Sequence, residues 1–203
     1  MKNEIVIIDY GMGNLHSVSK AVEAVGAVPI VTAEKRVIAA AEKIILPGVG
    51  AFGDCMKNLQ ATGLVPELIK YIKSGKGFLG ICLGMQLLFE SSEESPGVAG
   101  LGIFKGAVKR LTTEYKVPHM GWNRLKLKAA SPLTVAADGS YVYFVHSFHA
   151  VPEDSNIITA VCDYGTEITA AVGRDNIQAL QFHPEKSGEV GLKMLQAFKE
   201  WKL

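Results

Sequence analysis

The first half of the chain alternates short apolar runs with longer segments in which apolar positions recur at helical spacing. The runs that predict strands lie at 5–9, 28–31, 43–46 and 77–81. The segments that predict helices lie at 14–25, 34–40, 54–60, 65–73 and 83–90. Strands that alternate with helices are typical of a parallel sheet. The first half therefore predicts an α/β fold with a mostly parallel central sheet.

The second half has a different pattern, in which strands follow one another with few helices between them. A polar, glycine-rich segment at 91–102 precedes it. The predicted strands lie at 103–110, 123–128, 141–145, 157–162, 168–174 and 177–182. A closing helix at 189–201 has an apolar face to pack on the sheet. We expect a smaller, more antiparallel, strand-rich extension, and a single domain over residues 1–203 because no linker or repeat interrupts the chain.

Composition and charge narrow the choice of function. With 21 basic and 20 acidic residues the net charge is +1, so no strong field attracts nucleic acid or an anionic membrane. The longest uncharged apolar stretch, 78–89, is shorter than the about 20 residues that a membrane helix needs. Residues 1–4 lead straight into the first predicted strand without a secretory leader. The three cysteines form neither a CxxC pair nor zinc spacing, which predicts a reducing, cytoplasmic location and no metal site.

Cys82 lies between glycines in the segment GICLG at 80–84, where an apolar strand turns into a helix. Glycines permit a sharp turn and the close approach of a substrate. At a helix N-terminus, unpaired N–H groups and the helix dipole favour the thiolate, which is the reactive form of cysteine. The carboxyl end of a parallel strand is also where open α/β sheets bind ligands. We therefore predict that Cys82 is a catalytic nucleophile.

The segment QFHPE at 181–185 supplies a base for this nucleophile. Pro184 keeps His183 extended, so His183 and Glu185 can point to the same side of the chain. Glu185 would hold one ring nitrogen while the other faces Cys82, which is the nucleophile, base and orienter arrangement of a catalytic triad. Each residue alone has an ordinary structural interpretation, since a cysteine in an apolar run is usually a small buried hydrophobe. Cys55 and Cys162 lack flanking glycines, and we assign both to packing.

The segment GVGAFG at 48–53 matches the GxGxxG pattern of dinucleotide-binding proteins. The acidic residue that this pattern requires about twenty positions on is missing, because the surroundings of Lys70 are predicted to be helical. The segment PGVG at 47–50 instead suggests a tight loop with exposed backbone N–H groups near Cys82. The N–H groups of Val49 and Leu83 would then form an oxyanion hole. An ordinary glycine turn is the alternative.

Three further features of the sequence each have two possible roles. Asn14, which follows GMG at 11–13, caps a helix by default or contacts an anion. The segment PHMGWN at 118–123 is predicted to be a loop, and serves as an interface or as a packed turn. His146 lines the cleft or is structural.

The elbow at 80–84, the loop at 47–50 and the segment QFHPEKS at 181–187 together resemble the class I, triad-type glutamine amidotransferases. The resemblance spans almost the whole chain and implies a single three-layer α/β amidotransferase domain. By motif matching, Cys82 attacks the side-chain amide, His183 protonates the departing ammonia and Glu185 orients His183. The positions that match the glutamine-binding residues of the class are Gly50, Gln86, Ser147 and Phe148.

Three motifs are similar to those of one family within this class, the glutaminase subunits of imidazole glycerol phosphate synthases. They are DYGMGN at 9–14, PHMGWN at 118–123 and VHSF at 145–148. This resemblance implies hydrolysis of L-glutamine without a cofactor and transfer of ammonia to a separate cyclase subunit of (β/α)8-barrel fold. That partner would make imidazole glycerol phosphate and an aminoimidazole carboxamide ribonucleotide in histidine biosynthesis. The candidates for the surface that meets the partner are Asn14, Met120, Trp122 and Asn123.

Two residues depart from the family pattern. Phe148 stands where Tyr is common, which removes a hydroxyl but keeps any backbone contact. Ala179 stands where Gly is frequent, which changes the packing of the strand before Gln181. Three rival functions remain at this stage: a cysteine peptidase, a glutaminase for pyridoxal phosphate synthesis, and a non-catalytic binding module.

Overall fold

The computed structural model describes residues 3–203. Met1 and Lys2, which belong to the segment predicted to lack a leader, lie outside the described residues. The strands are β1 (Glu4–Ile8), β2 (Val28–Thr32), β3 (Lys43–Gly48), β4 (Gly77–Cys82), β5 (Ser91–Ser92), β6 (Gly106–Arg110), β7 (His119–Arg124), β8 (Lys126–Leu127), β9 (Tyr141–His146), β10 (Phe148–Pro152), β11 (Ile158–Asp163), β12 (Glu167–Arg174) and β13 (Ile177–Leu180). The helices are α1 (Leu15–Ala24), α2 (Lys35–Ala40), α3 (Phe52–Ala61), α4 (Val65–Lys73), α5 (Leu83–Gln86) and α6 (Gly188–Glu200).

The main sheet has eight strands in the order β2-β1-β3-β4-β13-β12-β11-β8. Neighbours from β2 to β13 run parallel, and β12, β11 and β8 continue the sheet antiparallel. Because β4 and β13 are parallel neighbours, with Ile81 beside Leu180, their carboxyl ends meet at the same edge of the sheet. The mostly parallel sheet with an antiparallel extension is confirmed.

Helices cover both faces of the parallel strands. Every residue of β4 is buried, which requires packing layers on both sides of the sheet. Helix α1 packs against α6, and α2 packs against α4. Burial on both faces explains why β4 is an uninterrupted apolar run in the sequence. Within residues 3–203, no helix has the length and apolarity needed to cross a membrane.

The second half differs from the prediction in several places. The strand predicted at 103–110 begins only at Gly106, and the strand predicted at 123–128 is split between β7 and β8. Strand β10 was not predicted. The segment 118–123, predicted to be a loop, forms most of β7, which pairs with β9 in a two-stranded ribbon. Pro118 and Gly121 resemble turn residues in the sequence, and the hydrogen bonds that make this segment a strand come from residues about 20 positions further along the chain.

Candidate active site

Cys82 is the last residue of β4 and directly precedes α5, with φ +55° and ψ −112°. A positive φ is uncommon for a residue with a side chain and marks local backbone strain. Glycines on both sides allow this elbow because the backbone packs closely around it. A Cβ atom on Gly80 would lie 2.7 Å from the carbonyl oxygen of Gly84. The elbow therefore holds the Cys82 side chain at the carboxyl end of the strand.

The helix after the elbow is shorter than predicted. The sequence predicts a helix over 83–90, but α5 ends at Gln86. Beyond it the N–H groups of Leu101 and Ile103 donate to the carbonyl oxygens of Leu87 and Leu88, both at 2.8 Å. These carbonyl groups are bonded to another segment of the chain, so the helix does not continue. A single helical turn has only a small dipole, so most of the positive charge that stabilises a thiolate must come from elsewhere.

His183 supplies that positive charge. Its Nδ1 atom lies 2.8 Å from Oε1 of Glu185, and the two side chains are 3% and 1% exposed. Burial lowers the pKa of His183, but interactions with the Cys82 sulfur and the Glu185 carboxylate outweigh it and raise the pKa to about 9. His183 is therefore protonated at neutral pH. Its Nε2 atom is buried without a hydrogen-bond partner, and the side chain interacts with the Cys82 sulfur.

The backbone around His183 is tied to strand β9. The N–H of His183 donates to the carbonyl oxygen of Tyr143 at 2.9 Å. The Ser187 hydroxyl donates to the carbonyl oxygen of His183 at 2.6 Å and accepts from the N–H of Tyr143 at 3.0 Å. This bonding fixes the 3₁₀ turn Pro184–Lys186, which carries Glu185, beside β9. The geometry of the predicted triad therefore depends on the ribbon as well as on the main sheet.

A cavity of about 300 Å³ opens over Cys82. The residues from the sequence prediction that line it are Val49, Gly50, Cys82, Leu83, Gln86, Ser147, Phe148 and His183. Glu185 lies behind His183 and does not line the cavity. His146 also lines it, while the residues that sequence reasoning missed are Glu94, Pro118, Val145 and Lys186. Lys186 could have been found from the sequence, because it directly follows Glu185. Glu94 could not, because it lies in the polar segment 91–102, where no motif marks it.

Gln86, which lines this cavity, has a buried acceptor without a partner. Its Nε2 atom donates to the carbonyl oxygen of Phe148 at 3.0 Å and to Oε1 of Gln181 at 2.9 Å. These two acceptors fix the orientation of the amide, and its Oε1 atom is buried without a partner. A buried unpaired acceptor is costly unless a ligand satisfies it. Gln86 can therefore accept a hydrogen bond from the amino or amide group of a bound molecule.

Two buried side chains anchor the loop at 47–50 from below. The Tyr10 hydroxyl donates to the carbonyl oxygen of Pro47 at 2.8 Å, and the Cys55 thiol donates to that of Val49 at 3.4 Å. They hold the peptides on each side of the Gly48–Val49 peptide, which carries the predicted oxyanion donor. Burial raises the pKa of Cys55 to about 11, so this thiol stays protonated as a donor. Cys55 is buried, as a packing role requires, and it also helps to hold this loop.

A second, larger cavity of about 630 Å³ lies between β7 and β8 on one side and β11 and β12 on the other. Cys162 lines it, but burial raises the pKa of this thiol to about 12. A thiol that remains protonated is a poor nucleophile. The chemistry therefore favours the smaller cavity at Cys82.

The residues predicted to meet a partner do not lie on one surface. Along β7, Met120 and Trp122 point outward and are 62% and 54% exposed, whereas Asn123 points inward. Asn123 donates from Nδ2 to the carbonyl oxygen of Asp163 at 2.8 Å. Asn14 caps α1 by accepting from the N–H of Ser17 at 3.4 Å, which agrees with the capping interpretation. The outward face of the ribbon is continuous with the cavity, because Val145, the cross-strand neighbour of Met120, lines it.

The family model described as Glutamine amidotransferase class-I matches residues 6–200. A protein of Geobacter sulfurreducens named imidazole glycerol phosphate synthase subunit HisH is 51% identical over 207 residues, covering 98% of this chain and 99% of that protein. A protein of Aquifex aeolicus with the same name is 52% identical over 196 residues, covering 96% of this chain and 95% of that protein.

Solved structures share the fold at lower identity. The structure of PurLQS from Thermotoga maritima has a TM-score of 0.77 at 24% identity and covers 98% of both chains. The glutaminase domain of Trypanosoma brucei CTPS with bound acivicin has a TM-score of 0.66 at 15% identity, covering 99% of this chain and 95% of that chain. The α/β fold class predicted from the sequence is confirmed by these similarities.

Proposed function

Because the chain belongs to the class I glutamine amidotransferases, we propose that it is the glutaminase subunit of an imidazole glycerol phosphate synthase. It hydrolyses L-glutamine to glutamate and ammonia. The observation that carries this proposal is Cys82 on a strained elbow beside the buried His183–Glu185 pair, in a cavity where Gln86 has an unpaired acceptor. The relatives named as subunits of imidazole glycerol phosphate synthase, which are about half identical over nearly the full length, support the choice of this family within the class.

The first half of the reaction forms a thioester. The Cys82 thiolate attacks the side-chain amide carbon of glutamine, and the carbonyl oxygen becomes an oxyanion. His183 gives the proton on Nε2 to the amide nitrogen, the C–N bond breaks, and ammonia leaves. Glu185 holds Nδ1 so that Nε2 faces the leaving group. A protonated His183 suits this sequence, because the first proton transfer required is to the leaving nitrogen.

The second half hydrolyses the thioester. Neutral His183 takes a proton from water, the resulting hydroxide adds to the thioester carbon, and the C–S bond breaks to release glutamate. Both halves pass through an oxyanion, for which we assign the N–H groups of Val49 and Leu83 as donors. Loss of one such donor typically costs about a hundred- to a thousandfold in rate. The anchoring of the adjacent carbonyl groups by Tyr10 and Cys55 supports this assignment.

We infer that the ammonia passes to a cyclase subunit of (β/α)8-barrel fold bound over the cavity. That subunit would use it to make imidazole glycerol phosphate and an aminoimidazole carboxamide ribonucleotide. The exposed Met120 and Trp122 beside the cavity support a docking surface here. A cytoplasmic location and a single amidotransferase domain over residues 1–203 stay predictions from the sequence; the family match over 6–200 supports the single domain.

The test of this function is glutamate release from L-glutamine, measured for the chain alone and for the chain mixed with the cyclase and its nucleotide ligand. We expect strong stimulation by the complete mixture. Hydrolysis that does not respond to the cyclase would assign the chain to another amidotransferase. No hydrolysis in any mixture would favour a non-catalytic binding module.

The pKa of His183 predicts the alkaline limit of the activity. The protonated ring is required as the acid, so kcat/KM should be retained below pH 9 and fall as pH rises through about 9. In Glu185→Gln the negative charge that raises this pKa is removed, so the alkaline limb should move to lower pH. The measurement is the pH profile of glutamate release. Glu189→Gln, which changes an exposed carboxylate four positions on, should leave the limb in place, and an unmoved limb in Glu185→Gln would contradict this role.

Trp122→Glu should weaken binding of the cyclase subunit by about 30-fold or more, because truncating a central aromatic anchor typically costs at least about 2 kcal/mol. Val28→Glu is the matched control, since Val28 is 53% exposed on the edge strand β2, at the end of the main sheet away from β11 and β8. The affinity of Val28→Glu for the cyclase subunit should equal that of the wild type. Titration of labelled chain with the cyclase subunit measures both. Equal affinities for the two variants would exclude Trp122 from the docking surface.

A further inference from the structure

Two buried histidines, His119 and His146, lie between the outward face of the ribbon and the cavity. They are cross-strand neighbours on β7 and β9. Nδ1 of His119 lies 2.9 Å from Nε2 of His146, and Nδ1 of His146 lies 2.9 Å from the carbonyl oxygen of Phe148. On the other side, Nε2 of His119 lies 3.2 Å from Nδ2 of Asn123. The four groups form a continuous chain of hydrogen bonds that the proposed reaction does not use.

The direction of the first hydrogen bond is fixed by the surroundings of Asn123. Its Nδ2 faces the carbonyl oxygen of Asp163, which can only accept, and its Oδ1 accepts from the N–H of Arg124 at 2.7 Å. The amide therefore has one orientation, and Nδ2 donates to Nε2 of His119. A neutral histidine with an accepting Nε2 must carry its hydrogen on Nδ1.

The hydrogen bond at the other end of the relay, from His146 to Phe148, runs in the same direction. The carbonyl oxygen of Phe148 can only accept, so Nδ1 of His146 carries a hydrogen and its Nε2 accepts from Nδ1 of His119. Both rings are thus neutral Nδ1–H tautomers. A proton added to Nε2 of either ring would point at the hydrogen of the neighbouring donor, so two donors would face each other. Burial lowers the pKa of His119 to about 4 and that of His146 to about 3, which is consistent with neutral rings.

The chain of hydrogen bonds is held in place by aromatic stacking and ends at the residues predicted to bind glutamine. The His119 ring is stacked between Phe144, at 4.7 Å, and Tyr164, at 4.0 Å between ring centroids. The Phe148 carbonyl oxygen that receives the hydrogen bond of His146 also receives that of Gln86. The position of this oxygen therefore sets where the Gln86 amide lies in the cavity.

We propose that Asn123, His119 and His146 form a neutral hydrogen-bond relay that positions the Phe148 carbonyl, and through it Gln86, to bind glutamine. They are positioning residues, because none of them touches the reacting atoms. The relay rests on the proposed function, since it assigns the cavity to glutamine. It also gives Asn123 an internal role, in place of the partner contact expected from its motif.

Asn123→Asp tests the relay with almost no change in shape. A carboxylate cannot donate, so Nε2 of His119 must become the donor, and at a pH high enough to keep this ring neutral beside the carboxylate each later bond must reverse. Nδ1 of His146 would then face the Phe148 carbonyl as a second acceptor. We expect KM for glutamine to rise about tenfold, as the loss of one net hydrogen bond allows, with kcat changed less than about twofold. Asn156→Asp makes the same chemical change in the exposed turn Ser155–Ile157 and should leave KM unchanged.

A spectroscopic readout separates the relay from the function that it serves. In chain labelled with ¹⁵N at histidine, both wild-type rings should show a protonated Nδ1 and an unprotonated Nε2 near pH 7. At a pH that keeps His119 neutral, Asn123→Asp should invert this pattern. His119→Phe, which keeps a stacked ring, assigns the signals. These measurements do not require glutaminase activity, so they remain decisive if the wild-type chain fails to hydrolyse glutamine. An Nε2–H tautomer at either ring of the wild type would overturn the relay. An unchanged KM in Asn123→Asp at the pH that keeps His119 neutral would also overturn it when the wild type is active.

Discussion

Replacing Cys82 with alanine is expected to reduce glutamate release from L-glutamine by at least about a thousandfold in kcat. Cys82 is the only thiol that lines the cavity beside His183. Alanine leaves no atom to form the thioester, and Gln86, His183 and the loop at 47–50 supply no substitute nucleophile. Because the sulfur is the only atom removed, the fold and the affinity for the cyclase should be retained. The measurement is steady-state glutamate release in the presence of saturating cyclase.

Cys162→Ala is the matched control for this experiment. Cys162 is also buried but lies on β11, where its pKa is raised to about 12. Its loss should reduce stability by the cost of a small cavity and leave kcat close to that of the wild type. A Cys82→Ala chain with full glutaminase activity would disprove the mechanism, and a Cys162→Ala chain that is folded but inactive would show that the larger cavity takes part.

The triad could be proposed from the sequence because two short segments each carry a local backbone constraint. The glycines around Cys82 mark an elbow, and Pro184 sets the conformation between His183 and Glu185. Sequence gives no distance between these segments. In the structure β4 pairs with β13 in parallel, and this pairing brings the carboxyl ends of the two strands together. A prediction of function was therefore possible before the strand order was known.

The parallel half of the fold was predictable for a different reason. Its central strands β3 and β4 are covered on both faces, so burial makes them apolar nearly throughout, and the helices have one apolar face. Helix α4 has the predicted bounds, and β3 extends two residues beyond the prediction to Gly48. Here the local pattern and the tertiary structure favour the same elements.

The ribbon and the relay could not be predicted in the same way. Strand β7 is half exposed, and its hydrogen bonds come from β9. The register of that pairing places His119 opposite His146, and register is a tertiary property that a single sequence does not reveal. The shortness of α5 is also a tertiary effect, because N–H groups of the segment 100–104 bond to the carbonyl groups that would continue the helix.

Gly84→Ala is expected to destabilise the chain by about 3 kcal/mol, the upper end of what overpacking typically costs. Gly84 lies in α5, where alanine alone would be favoured by about 1 kcal/mol. The added Cβ atom would, however, overlap the carbonyl oxygen of Leu46 on β3, and neither backbone can move without displacing the elbow. The steric effect therefore outweighs the helix propensity. Thermal unfolding should show a midpoint about 10 °C below that of the wild type.

Gly75→Ala separates this steric effect from the general cost of replacing a glycine. Gly75 has φ +80° and no atom within 4 Å of the added Cβ, so alanine there meets backbone strain but no clash. Its cost should be about 1–2 kcal/mol, less than that of Gly84→Ala although the backbone conformation is less favourable. A Gly84→Ala midpoint equal to that of the Gly75 variant would mean that β3 and α5 can separate. The strain at Cys82 would then not depend on their close packing, and the elbow would need another support.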